Sequence, residues 1–335
     1  MQKYKFSALF MIVAPLFAIA LFWAFVVFGK IAYMNVEYPT YKDTQLKTAQ
    51  NHNAQIIILG DSRAKAGFIP QDSTQLNLAI GGTTPISGYY TLKRYLTHNA
   101  PPKVLILSFG DRNYLDNKTF WRRAIKFDYL DFGEFSEIME NAHKLGQCKV
   151  INQNGKCKKY YFFIYKMQLQ NYTAEIYNAL IYWRVWRSRF ATNTQIMADL
   201  AQNGGHFFYG RAHESKGLNF EAELKGFALN PLHDLYLQKI ADLAKAHNIA
   251  LFHYQMPFNE ASFNVLDSRF THEYNAFLDS LQDKYGIIAL NHIWALPNSD
   301  FGDSSHLYKG AHKTTADILA KIKAWEAKSK EYLAQ

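Results

Sequence analysis

The chain has 335 residues, a formal net charge of +9, and hydrophobic side chains at 49% of its positions. That length and apolar content suit one large globular domain or two smaller ones, and they exclude a disordered or low-complexity chain. With two cysteines it is not a disulfide-framed scaffold, and no nucleic-acid recognition motif accompanies the basic excess, so the charge reads as solubility plus attraction to anionic lipid or an anionic polymer.

From Phe6 to Phe28 no side chain is charged. As a helix this run would be about 34 Å long, which exceeds the ~30 Å core of a bilayer and is too long for the apolar region of a cleaved signal peptide. Lys3 and Lys5 precede it, which puts the N-terminus in the cytoplasm and the rest of the chain outside, with Lys30 opposing this weakly. The expected layout is a single-pass anchor in the cytoplasmic (inner) membrane over residues 1–30, a polar and aromatic stalk over 31–53, and an extracytoplasmic (periplasmic) domain over 54–335. Cys148 and Cys157 flank the turn-forming Asn152-Gln153-Asn154-Gly155. In an oxidising compartment a disulfide-closed loop is expected there, two buried free thiols being the alternative.

The domain opens with Gln55-Ile56-Ile57-Ile58-Leu59, a β-branched run bounded by glycine that reads as a buried parallel strand. Leu76 to Ile80 predicts a second strand ending at Gly81-Gly82, Ile86 to His98 a helix, and Val104 to Phe109 a third strand ending at Gly110. The alternation then stops for an insertion over about 111–227, dense in aromatic and basic residues, including Trp121-Arg122-Arg123, Tyr160 to Phe163 and a predicted helix from Ala174 to Phe190. Its aromatics either pack as a cap on the main domain or form a docking surface for membrane, glycan or a partner protein. A helix over Leu232 to His247, a strand over Ile249 to Tyr254, a long helical stretch over Phe263 to Lys284, a strand over Ile287 to Leu290 and a final helix over Ala311 to Lys328 follow. Five strands alternating with helices fit an α/β class, a flavodoxin-like three-layer α/β/α sandwich with a parallel sheet.

The chemistry concentrates in two short segments far apart in sequence, Gly60-Asp61-Ser62-Arg63 and Asp303-Ser304-Ser305-His306. Ser62 falls on a strand-to-helix turn, where open α/β sheets place their ligands. A serine hydroxyl needs a base to act as a nucleophile, and His306, with Asp303 three residues before it, offers both the base and the carboxylate that fixes its tautomer. His312 is a less well spaced competitor, and Ser62 or Asp61 could instead serve only as a helix cap. Oxyanion donors would come from the backbone N–H of Ser62 and of Gly81 or Gly82. Arg63 could hold an anionic substrate group or pair with an acid, and His206 beside Gly204-Gly205 is a faint substrate-side candidate. No His, Asp, Glu or Cys cluster has metal-ligand spacing, and neither phosphate-loop pattern occurs, so neither a metal nor any other cofactor is expected.

Gly60-Asp61-Ser62 after a strand, Gly81-Gly82, a strand ending in Gly110, and Asp303-x-x-His306 together resemble the motif blocks of the SGNH (GDSL-like) hydrolase superfamily. The resemblance covers about 54–113 and 228–325. The family's third block usually reads Gly-x-Asn-Asp, its asparagine being a further oxyanion donor. Here Gly110-Asp111-Arg112-Asn113 displaces the asparagine by one position, so Asn113, Arg112 or the backbone alone would fill that role. In layout the chain resembles the membrane-anchored branch that O-acylates cell-envelope polymers. That likeness implies an acyl-Ser62 intermediate, most plausibly acetyl, a glycan or other envelope polymer as acceptor, and a multi-spanning membrane-bound O-acyltransferase (MBOAT-like) as partner. An esterase using water as acceptor and a catalytically idle scaffold are the competing functions.

Overall fold

The computed structural model describes residues 2–50, 52–115, 120, 123–124, 126–147, 172–173, 175–177 and 184–333. Seven segments after the N-terminal helix are strands: β1 (Ile56–Gly60), β2 (Gln75–Asn77), β3 (Val104–Ser108) and β4 (Ala250–His253), followed by the short β5 (Phe258–Asn259), β6 (Ile288–Ala289) and β7 (Ala295–Leu296) among the described residues. Five of them form one sheet in the order β2-β1-β3-β4-β6, every pair parallel, and β5 and β7 make a separate parallel pair.

Alternation along the strands divides the core. Ile57, Leu59, Leu105, Leu107 and Leu251 face the helices Pro85–His98, Pro231–Ala246 and Ser268–Tyr285 through Leu92, Leu237, Ile240 and Leu278. Ile58, Val104, Ile106 and Phe252 face the opposite way, onto Ala64 and Phe68 after β1 and onto Ile318 and Ile322 of the Ala311–Leu333 helix. Both faces of the sheet are therefore covered, which is why β1 and β3 read as unbroken apolar runs.

Several expected boundaries move. The Phe263–Lys284 helix is two helices, Glu260–Phe263 and Ser268–Tyr285, because Asp267 caps the second by accepting from the Arg269 and Phe270 N–H groups. The helix expected over 174–190 is described as Arg184–Gln202, with residues 172–173 and 175–177 also helical.

Residues 31–53 are not a free stalk. They carry the helices Lys30–Tyr33 and Tyr38–Ala49, and the second buries Tyr41, Asp43, Thr44 and Lys47 against the domain. Hydrogen bonding offsets its polarity: the Tyr41 hydroxyl donates to Gly81 O, and Lys47 Nζ pairs with Asp43 and donates to Leu200 O.

The described part of the insertion carries the helices Phe132–Lys144 and Arg184–Gln202 and an irregular stretch over 203–219, and its aromatics pack as a cap. Phe120, Phe127, Tyr129, Phe135 and Ile176 form a third apolar cluster with Tyr41, Tyr90 and Tyr236. The expected loop between Cys148 and Cys157 lies outside the described residues.

At the N-terminus, Gln2–Phe28 is one helix, and Phe10–Phe28 is long and apolar enough to span a membrane. Phe10, Met11, Leu16 and Phe22 are exposed, as a lipid-facing helix requires, whereas Val26 is buried against the domain's third cluster, which includes Tyr33 and Met34.

Candidate active site

Ser62 is the first residue of the helix Ser62–Gly67, which starts directly after β1 because Asp61 caps it, accepting from the Arg63 N–H at 2.9 Å. The position is the carboxyl end of a central strand, and the helix N-terminus leaves main-chain donors free. Two buried side chains hold this short helix from below. Asn77 donates to the carbonyls of Ala64, Lys65 and Phe68 at 3.1, 3.2 and 2.8 Å, and Lys65 donates to Ala79 O at 2.8 Å. Burial pushes the Lys65 ammonium down to about 8.

The loop 302–308 brings the second segment back onto this turn, anchored by Gly302 N donating to His306 O and by the Phe301–Leu307 bridge. His306 Nε2 lies 2.7 Å from Ser62 Oγ. Its Nδ1 lies 2.8 and 3.0 Å from the two Asp303 carboxylate oxygens, and the same carboxylate accepts from the backbone N–H of Ser305 and His306. Burial alone would raise the Asp303 carboxyl, but His306 and the two N–H groups outweigh it and hold it below the usual range. With Nδ1–H donating to a charged Asp303, Nε2 is the lone-pair nitrogen and accepts from the Ser62 hydroxyl. This arrangement can take the serine proton as the oxygen attacks and stabilise the resulting imidazolium.

Gly81 and Gly82 lie beside the serine. The place where Gly81 would carry a Cβ is 3.8 Å from Ser62 Cβ, 3.4 Å from Arg123 Nη1 and 3.2 Å from Tyr209 Oη. Gly82 is left-handed (φ +65°) and lies under the Arg123 side chain, whose atoms would come within 2.4 Å of any Cβ there. Among the described residues the N–H groups of Ser62 and Gly81 have no acceptor, so both are available to an incoming oxygen.

The other candidates lie elsewhere than the sequence suggested. Asn113 turns away from any oxyanion, because its Nδ2 donates to Asp61 Oδ2 at 2.6 Å. Arg112 is exposed at the start of the Arg112–Leu115 helix, its backbone N–H donating to Asp111. Arg63 is buried and pairs with acids: its Nη2 donates to Asp111 at 3.2 Å and its Nη1 lies 2.7 Å from Glu221. No route to substrate is left for it. His206 is buried, with Nε2 3.1 Å from Ala66 O, and burial holds it neutral by pushing it down to about 4. His312 is exposed on the final helix, away from the Ser62 hydroxyl that His306 occupies.

No protein-family model matches the chain, and neither does any curated protein or solved structure.

Two residues that the sequence reading left out of the site belong beside it. Tyr209, from the insertion, stacks on the His306 ring at 4.6 Å. Arg123 reaches over Gly82 and is held by Glu37, Nη2 to Oε1 3.0 Å. Neither has any fixed spacing to Ser62 or His306, so the only available signal was Trp121-Arg122-Arg123 as a basic-aromatic cluster. Among the described residues no group of three or more His, Cys, Asp or Glu could hold a metal ion.

Proposed function

We propose that this chain is a serine-dependent O-acyltransferase of the SGNH type, acting at the outer face of a membrane through an acyl-Ser62 intermediate. The observation that carries the reading is the continuous contact from Ser62 Oγ through His306 to Asp303, at 2.7 and 2.8 Å, at the carboxyl end of β1. The all-parallel order β2-β1-β3-β4-β6, with helices on both faces, supports the SGNH fold.

Ser62 Oγ attacks the acyl carbonyl carbon as its proton passes to His306 Nε2, and the carbonyl π pair moves onto oxygen. Collapse of that oxyanion expels the donor's alcohol, which leaves with the His306 proton. A second hydroxyl, deprotonated by His306, then attacks the acyl-Ser62 ester; collapse breaks the bond between Ser62 Oγ and the acyl carbon, His306 returns the proton to Ser62, and the acyl group leaves on the acceptor. The resemblance favours acetyl as the acyl group and a glycan or other envelope polymer as the acceptor. The donor side would be served by a multi-spanning membrane-bound O-acyltransferase. The apolar helix Phe10–Phe28, as a single-pass anchor with the domain outside, would hold Ser62 near that partner's exit.

The reading is tested on the full chain in detergent with an activated acetyl ester, with and without an extracellular polysaccharide. Acetyl appearing on the polysaccharide, and lost in Ser62→Ala, supports the transferase. Hydrolysis that the polysaccharide leaves unaltered makes the protein an esterase. Envelope acylation unchanged in a Ser62→Ala strain with normal protein levels makes it a scaffold.

A further inference from the structure

Asn113 donates to Asp61, Arg112 is exposed, and so neither supplies a side-chain donor for the oxyanion. A different pair of donors converges on the spot. The gap left by the missing Gly81 side chain is bordered by Ser62 Cβ, Arg123 Nη1 and Tyr209 Oη, all within 4 Å of one point.

Resting on the acyl-Ser62 reading, we propose that Arg123 and Tyr209 are the side-chain donors of the oxyanion hole, completing it with the N–H groups of Ser62 and Gly81. A carbonyl oxygen whose carbon is under attack by Ser62 Oγ must sit about 3 Å from its donors. A carbonyl oxygen resting against Gly81 on that side, just beyond the Cβ position, would lie beside the serine and face both groups. As the carbonyl π pair moves onto oxygen, the guanidinium and hydroxyl receive the developing charge; on collapse the pair returns to carbon and both are released unchanged.

Both donors are preorganised. Glu37 takes one arm of the Arg123 guanidinium and leaves the other over the glycines, and Gly82 lets that arm lie against the main chain. Tyr209 is fixed by its stack on His306, and its hydroxyl is buried near Thr40 without a hydrogen bond of ordinary geometry among the described residues. A buried, underused donor beside a nucleophile is what an oxyanion hole requires before substrate arrives.

The experiment measures kcat and KM of the full chain in detergent for a neutral small ester, p-nitrophenyl acetate, in Arg123→Gln, Arg123→Lys and Tyr209→Phe, with thermal unfolding of each. The expected result for Arg123→Gln is a fall in kcat of about 10²-fold with KM changed less than threefold, partly recovered in Arg123→Lys. Tyr209→Phe keeps the ring stack and is expected to lower kcat by at least tenfold; it carries the test alone if Arg123→Gln does not fold. An unchanged kcat in both Arg123→Gln and Tyr209→Phe, or a loss confined to KM, overturns the assignment. Retention of the ester activity in Ser62→Ala would instead sink the acyl-serine reading, so the two failures are distinguishable.

Discussion

Asp61 acts in two directions from the position before Ser62. One oxygen caps the helix that begins at Ser62, while the other accepts from Gly110 N at 2.8 Å and from Asn113. Behind it lies a buried group of Arg63, Asp111, Glu221 and His253, packed so tightly that a Cβ on Gly110 would fall 2.1 Å from Arg63 Nη2. One guanidinium cannot neutralise three carboxylates in a low dielectric. Burial raises Glu221 well above the usual carboxyl range, Arg63 lowers it less, and the neighbouring Asp111 adds to the rise. A folded-state pKa raised in this way gives stability that is complete below the ordinary value near 4.5 and is lost as pH rises towards the folded value. Glu221→Gln mimics the protonated form, so its unfolding midpoint should hold where the wild-type midpoint declines, and the gap between them should widen from pH 5 to pH 9. Parallel curves would refute the assignment. His253 works with the opposite sign: burial, aided by Arg63, pushes it down to about 3, so its contribution is present above pH 6.5 and is lost as pH falls towards 3. Above pH 7 the comparison therefore isolates Glu221. Removing the cation is harsher. Arg63→Leu leaves buried acids unpaired and should cost about 3–5 kcal/mol in chemical denaturation, and a loss under 1 kcal/mol would show that the acids neutralise one another instead.

The helix Ser62–Gly67 is too short to persist by its own hydrogen bonds, so its position depends on its neighbours. Asn77 supplies most of that support, satisfying three carbonyls with Nδ2 while Oδ1 accepts from Ala79 N at 3.1 Å. Asn77→Ala should therefore destabilise the chain by about 1–3 kcal/mol and lower turnover with it, because buried carbonyls lose their donor and Ser62 loses its rigid base. Unchanged denaturation and turnover would mean that Lys65 alone holds the helix. This element also marks what a sequence reveals. The strand reading of Leu76–Ile80 found β2, whose apolar neighbours are plain, but Asn77 looked like one polar residue in an apolar run; its role depends on a helix from another segment. β1, β3 and β4 were legible to within about two residues because burial on both faces leaves no polar alternation to blur their ends. The Tyr38–Ala49 helix was not legible, since it buries polar side chains, and a partner such as Leu200 O, which accepts from Lys47, is announced by no local pattern. Asp303 and His306 were legible as a pair because they share one turn. Arg123 and Tyr209 were not, because an insertion delivers them from positions without a fixed spacing to the serine.

At the scale of the molecule, the apolar helix and the site are joined through few residues. Glu37, which holds Arg123, is nine residues beyond Phe28, so it lies within about 30 Å of the end of the apolar helix even if the chain between them were fully extended. The chain between is not extended: Lys30–Tyr33 is helical, Asn193 donates to the carbonyls of Ile31 and Met34, and Val26 packs in the same cluster as Tyr33. The end of the apolar helix is thus part of the folded domain, and if that helix spans a membrane the site's height above the bilayer is fixed by packing and not by a tether. This separates chemistry from delivery. Inserting about 20 Gly/Ser residues between Phe28 and Lys30 would let the domain drift from the membrane while leaving the contact between Ser62 and His306 untouched. Hydrolysis of a soluble neutral ester in detergent should stay within about twofold of wild type. Acylation of the envelope polymer in membranes, if the acyl group arrives at the bilayer surface, should fall by tenfold or more, because the effective concentration of donor at Ser62 drops with linker length. Equal losses in the two assays would mean that the insertion damaged the fold, and equal retention would show that the acyl donor reaches Ser62 from solution.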